Sequence, residues 1–226
     1  MRGLGLCRAL IDLGWEQPNT DDHPEISQER RLVAARRTIF YQNEILDCVP
    51  VICEGWAASV LKLSNGRQQI LSFLLPGDIV SCGLLFERQL RLSIDAVTRS
   101  SYRCFDRAQL RAAMFVSPKF LDKILSAYDG ERTRGDQLIA DLGRRTAAER
   151  VARLILNIRD RLEMSGMVED DSIEFPLRQT HIADATGLTP AYVNKVLGDF
   201  RNDGLVKISR RALKIIDMKQ LRRLAA

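Results

Sequence analysis

Residues 179–200 read QTHIADATGLTPAYVNKVLGDF, and the reading of this stretch decides the fold. Ile182, Ala183 and Ala185 form a short apolar set that suits one face of a helix. Gly187 stands where that helix has to stop and turn, because glycine adopts positive φ without a Cβ clash. Thr189 is positioned to N-cap a second helix. Pro190 takes that helix's first position, where a missing N–H costs nothing. Val193, Val196, Leu197 and Phe200 recur at i, i+3, i+4 and i+7 and predict a buried stripe on a helix over residues 191–201. Tyr192, Asn194, Lys195 and Asp199 occupy the opposite face. Two helices joined by a glycine turn, the second polar on its outer face, describe a helix-turn-helix. A helical hairpin in an unrelated core is the competing reading, and the flank weighs against it. In RNDGLVKISRRALKIID (residues 201–217), Asp203-Gly204 ends the helix. Residues 205–209 and 212–216 read as strands, with Arg210-Arg211 at the turn. That is a β-hairpin wing, so the module reads as a winged helix-turn-helix.

The 226 residues suffice for one large domain or two small ones. Apolar content of 46% and charged content of 28% are those of an ordinary globular protein. Net charge is +5, and it is unevenly spread. From Phe175 to the end there are ten Lys/Arg against four Asp/Glu, more excess than the whole chain carries. Attraction to a phosphate backbone requires such a basic module, although a basic balance also serves solubility. No apolar run approaches the roughly 18 residues needed to cross a bilayer. The first fifteen residues, interrupted by Arg8 and Asp12, make a poor signal peptide. The five cysteines, Cys7, Cys48, Cys53, Cys82 and Cys104, are odd in number and scattered. No disulfide framework is expected from them, and a reducing cytoplasm is the expected location.

Residues 1–30 read as a loose, polar N-terminal arm with one short helix around residues 9–15. Residues 31–117 carry short β-like runs: 38–41, 48–53, 57–62, 69–73, 79–81, 93–96 and 101–106. Asn65-Gly66 marks a hairpin and Pro76-Gly77-Asp78 a second turn. Many short antiparallel strands predict a jelly roll or barrel, with Trp56 in its core. From Ser117-Pro118 the chain turns helical. Leu121, Leu125, Tyr128, Arg132, Gly135, Ile139 and Leu142 step by fours and threes, which is the spacing of a coiled-coil seam; Leu138 flanks it. The same face could instead pack on the β domain. A second helix is predicted over residues 147–163, with Arg144-Arg145-Thr146 as the hinge between the two. The expected scheme is therefore an arm (1–30), a β-roll (31–117), a dimerisation helix and hinge (118–145) and a winged helix-turn-helix (146–226), an α+β chain.

These pieces in this order resemble the CRP/FNR family of bacterial regulators, in particular its FixK-like, alphaproteobacterial branch. The motifs that carry the resemblance are EGWAASVLKLSNGRQQILSFLLPGDIV, RRTAAERVARLILNIRDRL and HIADATGLTPAYVNKVLGDFRNDGLV. The resemblance implies a homodimeric, sequence-specific transcription regulator. Its paired long helices would set two recognition helices in successive major grooves of a palindromic double-stranded DNA site. RNA polymerase would be a further partner. The seam residues Leu121, Leu125, Tyr128, Gly135, Leu138, Ile139 and Leu142 would form the dimer contact. Around the start of the recognition helix the implied DNA-binding set is Thr189, Pro190, Ala191, Tyr192, Asn194 and Lys195. Lys195 suits guanine O6 or N7, and Asn194 suits adenine N6 and N7. Thr180, His181, Lys207, Arg210 and Arg211 are better suited to phosphates. The family often has glutamate at the Ala191 position and arginine at the Lys195 position, so its half-site does not transfer.

A catalytic reading fares badly. The two histidines, His23 and His181, lie far apart in the chain, and no zinc-spaced Cys/His cluster or Gly-rich phosphate loop is present. Cys48 and Cys53 have odd spacing on a predicted strand and so face opposite ways. No enzyme activity, metal or cofactor is expected. The alternative kept open is a β-roll sensor or scaffold that binds a small ligand or a protein without DNA. Cys104 stands where the oxygen-sensing branch has its internal cluster ligand, but the arm offers only Cys7, too few thiolates for an iron–sulfur site.

The effector pocket reads as degenerate. Cyclic-AMP-binding relatives use a Gly-Glu pair after the GD turn and an Arg-Ser pair some ten residues later. In PGDIVSCGLLFERQLRLSIDA (residues 76–96), Ser81-Cys82 and Leu92-Ser93 stand there instead. Arg91 is one residue off, which in a strand means the opposite face. Cyclic AMP is therefore not the expected effector, and any other ligand is left open.

Overall fold

The computed structural model describes residues 30–168 and 172–226. The arm with its expected short helix, Cys7 and His23 lies outside the described residues. Two compact units divide the chain within its longest helix, after Gly135, with residues 68–70 grouped in the second.

The first unit is the expected roll. Its strands are β1 (Arg31–Val33), β2 (Thr38–Phe40), β3 (Cys48–Glu54), β4 (Ala57–Lys62), β5 (Gln68–Leu74), β6 (Ser93–Ala96) and β7 (Ser100–Asp106). One sheet has the order β1-β7-β3 and the other β2-β6-β4-β5. Val49, Val51, Ile52, Ile94, Tyr102 and Phe105 from these sheets share one core with Leu84 and Leu85. Phe40 meets Tyr102 edge-on, with ring centroids 5.0 Å apart. Each such side chain, fully buried, is worth about 1.5–3 kcal/mol of transfer free energy. Trp56 is 2% exposed against Phe73, as expected of a core residue. Gly55 before it has φ +74°, and a Cβ there would lie 2.2 Å from the Arg99 carbonyl oxygen, so only glycine fits.

The segment after the Pro76-Gly77-Asp78 turn departs from expectation. Residues 79–81 form no strand; only an isolated bridge joins Ile79 to Val51, and a 3-10 helix, Cys82–Leu85, follows. The Asp78 carboxylate accepts from the Leu75 N–H at 2.6 Å, which closes the turn. A helix not foreseen, α1 (Arg107–Val116), begins directly at the end of β7, capped by Asp106 accepting from the Gln109 N–H at 2.8 Å. Then comes α2 (Pro118–Arg144), of 27 residues. Its Phe120 and Ile124 are buried in the roll core.

The second unit holds α3 (Ala147–Met164), β8 (Ser172–Glu174), α4 (Gln179–Thr186), α5 (Pro190–Asn202), β9 (Val206–Ser209), β10 (Ala212–Ile215) and α6 (Met218–Ala225). Its core is Val151, Ile155, Ile158, Ile173, Ile182, Val193, Phe200, Leu213 and Leu221, with α6 packed on α3. The sheet order is β8-β10-β9, so the wing hairpin gains a third strand that the sequence reading lacked, as it lacked α6. Among the described residues Cys48, Cys82 and Cys104 are free thiols. No helix among the described residues is long and apolar enough to cross a membrane.

Candidate nucleic-acid interface

The turn between α4 and α5 is built as its residues require. Gly187 sits at φ 66°, ψ 33°, in the left-handed region. A Cβ there would stand 2.8 Å from Leu142 Cδ2, so both conformation and packing exclude a side chain. The Thr189 hydroxyl accepts from the Tyr192 N–H at 3.3 Å, and Pro190 opens α5. Val193, Val196, Leu197 and Phe200 are buried. That packing leaves Thr189, Pro190, Ala191, Tyr192, Asn194 and Lys195 exposed together along the first two turns of α5.

Two contacts order this face. Gln179 Nε2 donates to Asn194 Oδ1 at 2.8 Å, which fixes the amide's orientation and turns its NH2 group outward. Lys195 Nζ lies 5.9 Å from the Tyr192 ring centroid, a cation–π distance that biases the lysine towards the helix start. The sequence reading did not single out Gln179. Its signal was available: a polar residue at the first position of α4, in a module whose second helix must cross it.

The outer positions vary in their engagement. Thr180 is exposed, whereas His181 Nδ1 accepts from the Arg178 N–H at 3.2 Å and so caps α4. In the wing, Lys207 is exposed on β9, and Arg210 holds the turn at φ 51° with its side chain exposed. Arg211 donates to Glu174 on β8 at 3.2 Å. Its charge is thus partly engaged within the sheet.

The hinge residues are tied down. Thr146 and Glu149 form a reciprocal capping box at the start of α3. Arg145 forms a salt bridge with Asp141 at 3.0 Å and donates to the Ala226 oxygen at 2.9 Å, and Arg153 forms a salt bridge with the same Asp141 at 2.7 Å. On α2, Leu125, Tyr128 and Ile139 are 54%, 54% and 73% exposed, a stripe of large apolar side chains facing solvent. Gly135 is exposed on the same helix. Leu121, Leu138 and Leu142 are half-buried within the chain, Leu142 against the Gly187 turn.

The four positions that the sequence reads as a degenerate pocket are engaged within the chain or apolar. The Ser81 hydroxyl donates to Glu131 Oε1 at 3.3 Å, and the Cys82 N–H donates to Glu131 Oε2 at 3.1 Å. Burial and then the Glu131 carboxylate push the Cys82 thiol up to about 12, which leaves it protonated. The Ser93 hydroxyl accepts from the Gln42 N–H at 3.1 Å. Leu92 brings no charge, and Arg91 is held by Glu87 at 2.9 Å on the surface.

Residues 149–224 match the Crp-like helix-turn-helix domain, and residues 30–116 match the cyclic nucleotide-binding domain. A probable transcriptional activator of Rhizobium leguminosarum is 31% identical over 86% of this chain and 80% of its own length. The chain belongs to the CRP/FNR family. The transcriptional activatory protein AadR of Rhodopseudomonas palustris is 27% identical over the whole chain and 91% of its own length. The structure of FixK2 from Bradyrhizobium japonicum, 27% identical, superposes with a TM-score of 0.77 over 88% of this chain and 97% of that one. The chain is therefore a DNA-binding transcription regulator, and regulators of this family act as dimers.

Proposed function

We propose that this regulator binds a palindromic operator as a homodimer through the exposed face of α5, and that it does so without a cyclic nucleotide. The carrying observation is Asn194, exposed on α5 and oriented by Gln179 at 2.8 Å, next to an exposed Lys195. In this reading Asn194 meets adenine and Lys195 meets guanine in the major groove. Pro190 and Ala191 approach the base edges, while Thr180, Thr189, Tyr192, Lys207 and Arg210 lie along the phosphates. Arg211 joins them to the extent that DNA competes with Glu174, and His181 contributes chiefly by capping α4.

The apolar stripe Leu125, Tyr128 and Ile139 pairs with its mate, flanked by Leu121, Gly135, Leu138 and Leu142. Residues 31–117 then serve as the sensor roll, 118–145 as pairing helix and hinge, and 146–226 as the DNA module. Ser81 and Cys82 are already engaged by Glu131, which supports a roll that needs no anionic effector. Two relatives are described as transcriptional activators, which supports contact with RNA polymerase and action in the cytoplasm. Selection of bound sequences from a random duplex pool tests the reading. A palindromic consensus with half-sites one helical turn apart is expected. Enrichment of nothing, or of a site without two-fold symmetry, overturns it.

A further inference from the structure

Two free thiols lie on one face of the central ladder of the roll. β3 and β7 are antiparallel, with Cys48 opposite Asp106 and Pro50 opposite Cys104. Cys48 and Pro50 are two residues apart, as are Cys104 and Asp106, so both sulfurs leave the same face on a diagonal of the ladder. Their side chains are hydrogen-bonded to each other, and neither is in a disulfide. Their surroundings differ. Cys104 is 9% exposed in the core, while Cys48 is half-buried at the outer end of β3. The bond from Cys104 holds the Cys48 thiol below its ordinary range against the effect of burial, and Arg31 and Arg107 add to the lowering while Asp47 opposes it. The same bond, then burial, raises Cys104. A half-buried thiol of lowered pKa beside a buried thiol of raised pKa is the pairing of an attacking and a resolving cysteine.

We propose that Cys48 and Cys104 form a peroxide-reactive dithiol, in which Cys48 is the nucleophile and Cys104 closes a disulfide between β3 and β7. The Cys48 thiolate attacks one oxygen of hydrogen peroxide. An S–O bond forms, the O–O bond breaks, and hydroxide leaves to become water. The sulfur is then a sulfenic acid, oxidised by two electrons. The Cys104 sulfur attacks it, the S–O bond breaks, and the hydroxyl leaves with the Cys104 proton as a second water. One peroxide and two thiols thus give one disulfide and two waters. Because β7 runs directly into α1 at Arg107, the bridge would form at the root of the helical segment.

The test is peptide mapping of the full-length protein and does not depend on DNA binding. Reduced, desalted protein is treated with hydrogen peroxide, alkylated and digested without reductant. A peptide linking Cys48 to Cys104 is expected, lost on treatment with dithiothreitol. Cys104→Ser should stop at the sulfenic acid, trapped by dimedone on Cys48. Cys48→Ser should abolish both the link and the dimedone adduct. The proposal is overturned if the wild-type pair stays fully alkylatable after peroxide, or if dimedone labels Cys104. The first outcome needs no variant, so a folding defect in either substitution leaves the test intact.

Discussion

At the scale of single residues, the proposed recognition face divides into groups that would read bases and groups that would hold phosphates. Lys195→Ala removes a major-groove donor, so it should cost about 1–3 kcal/mol on the selected operator and less on random duplex. Arg210→Ala should weaken all sequences alike and flatten the salt dependence by about one counterion. Gel shifts on both DNAs at two salt concentrations separate the two patterns; identical patterns would refute the assignment. Gln179→Ala tests the orientation of Asn194. With Oδ1 released from its 2.8 Å bond, the amide can rotate or flip, and discrimination at the adenine position should fall by about 1 kcal/mol. Operators changed at that base alone would report this, and unchanged discrimination would show that Asn194 needs no support. These contacts were only partly legible in the sequence. Periodicity separates the faces of α5 and exposes Asn194 and Lys195. It says nothing of a partner fifteen residues away on another helix, or of His181 capping its own helix.

At the scale of elements, the elements that carry local signals were legible. Gly187, Thr189 and Pro190 mark the turn by conformation, and Pro118 marks the start of α2. α1 was not foreseen, although Asp106 and Gln109 have the spacing of a cap, because the β pattern of residues 101–106 runs into it without a glycine or proline. β1 and β8, of three residues each, exist only through pairing with β7 and β10, so no local pattern announces them. The stripe on α2 carries the prediction at this scale. Ile139 is 73% exposed and Leu125 54%, so neither holds the single chain together. Ile139→Glu should leave the helical signal in circular dichroism intact. In a dimer it would bury an unpaired charge, at about 3–5 kcal/mol by analogy with broken buried ion pairs. Sedimentation should find the variant monomeric at concentrations where the wild type is dimeric. A wild type that is itself monomeric at micromolar concentration would sink the pairing helix. Thr146→Ala, by contrast, removes the capping box of α3 and should cost about 1 kcal/mol of stability in thermal unfolding.

At the scale of the molecule, the question is whether the roll still listens to an anion. A buried cyclic phosphate needs close N–H donors and a cationic partner, and left unpaired its charge would cost several kcal/mol. Here a donor and a hydroxyl at that turn, the Cys82 N–H and the Ser81 hydroxyl, already serve Glu131, an anion belonging to the chain itself. A ligand would have to displace that carboxylate and then sit beside it. Arg91, the arginine next to Leu92, is paired with Glu87 at the surface. Calorimetry with cyclic AMP and cyclic GMP should therefore show no micromolar binding, and neither nucleotide should tighten the operator complex. Glu131→Ala separates the causes. If the carboxylate merely blocked an intact site, its removal would uncover nucleotide binding. If the site lacks its cationic partner, the variant should remain blind to both nucleotides and lose only the two hydrogen bonds. Glu131 is solvent-exposed, so that loss should be small, about 1 kcal/mol in thermal unfolding. Micromolar binding by the wild type would mean that the roll supplies a phosphate partner from residues other than Ser81, Cys82, Leu92 and Ser93.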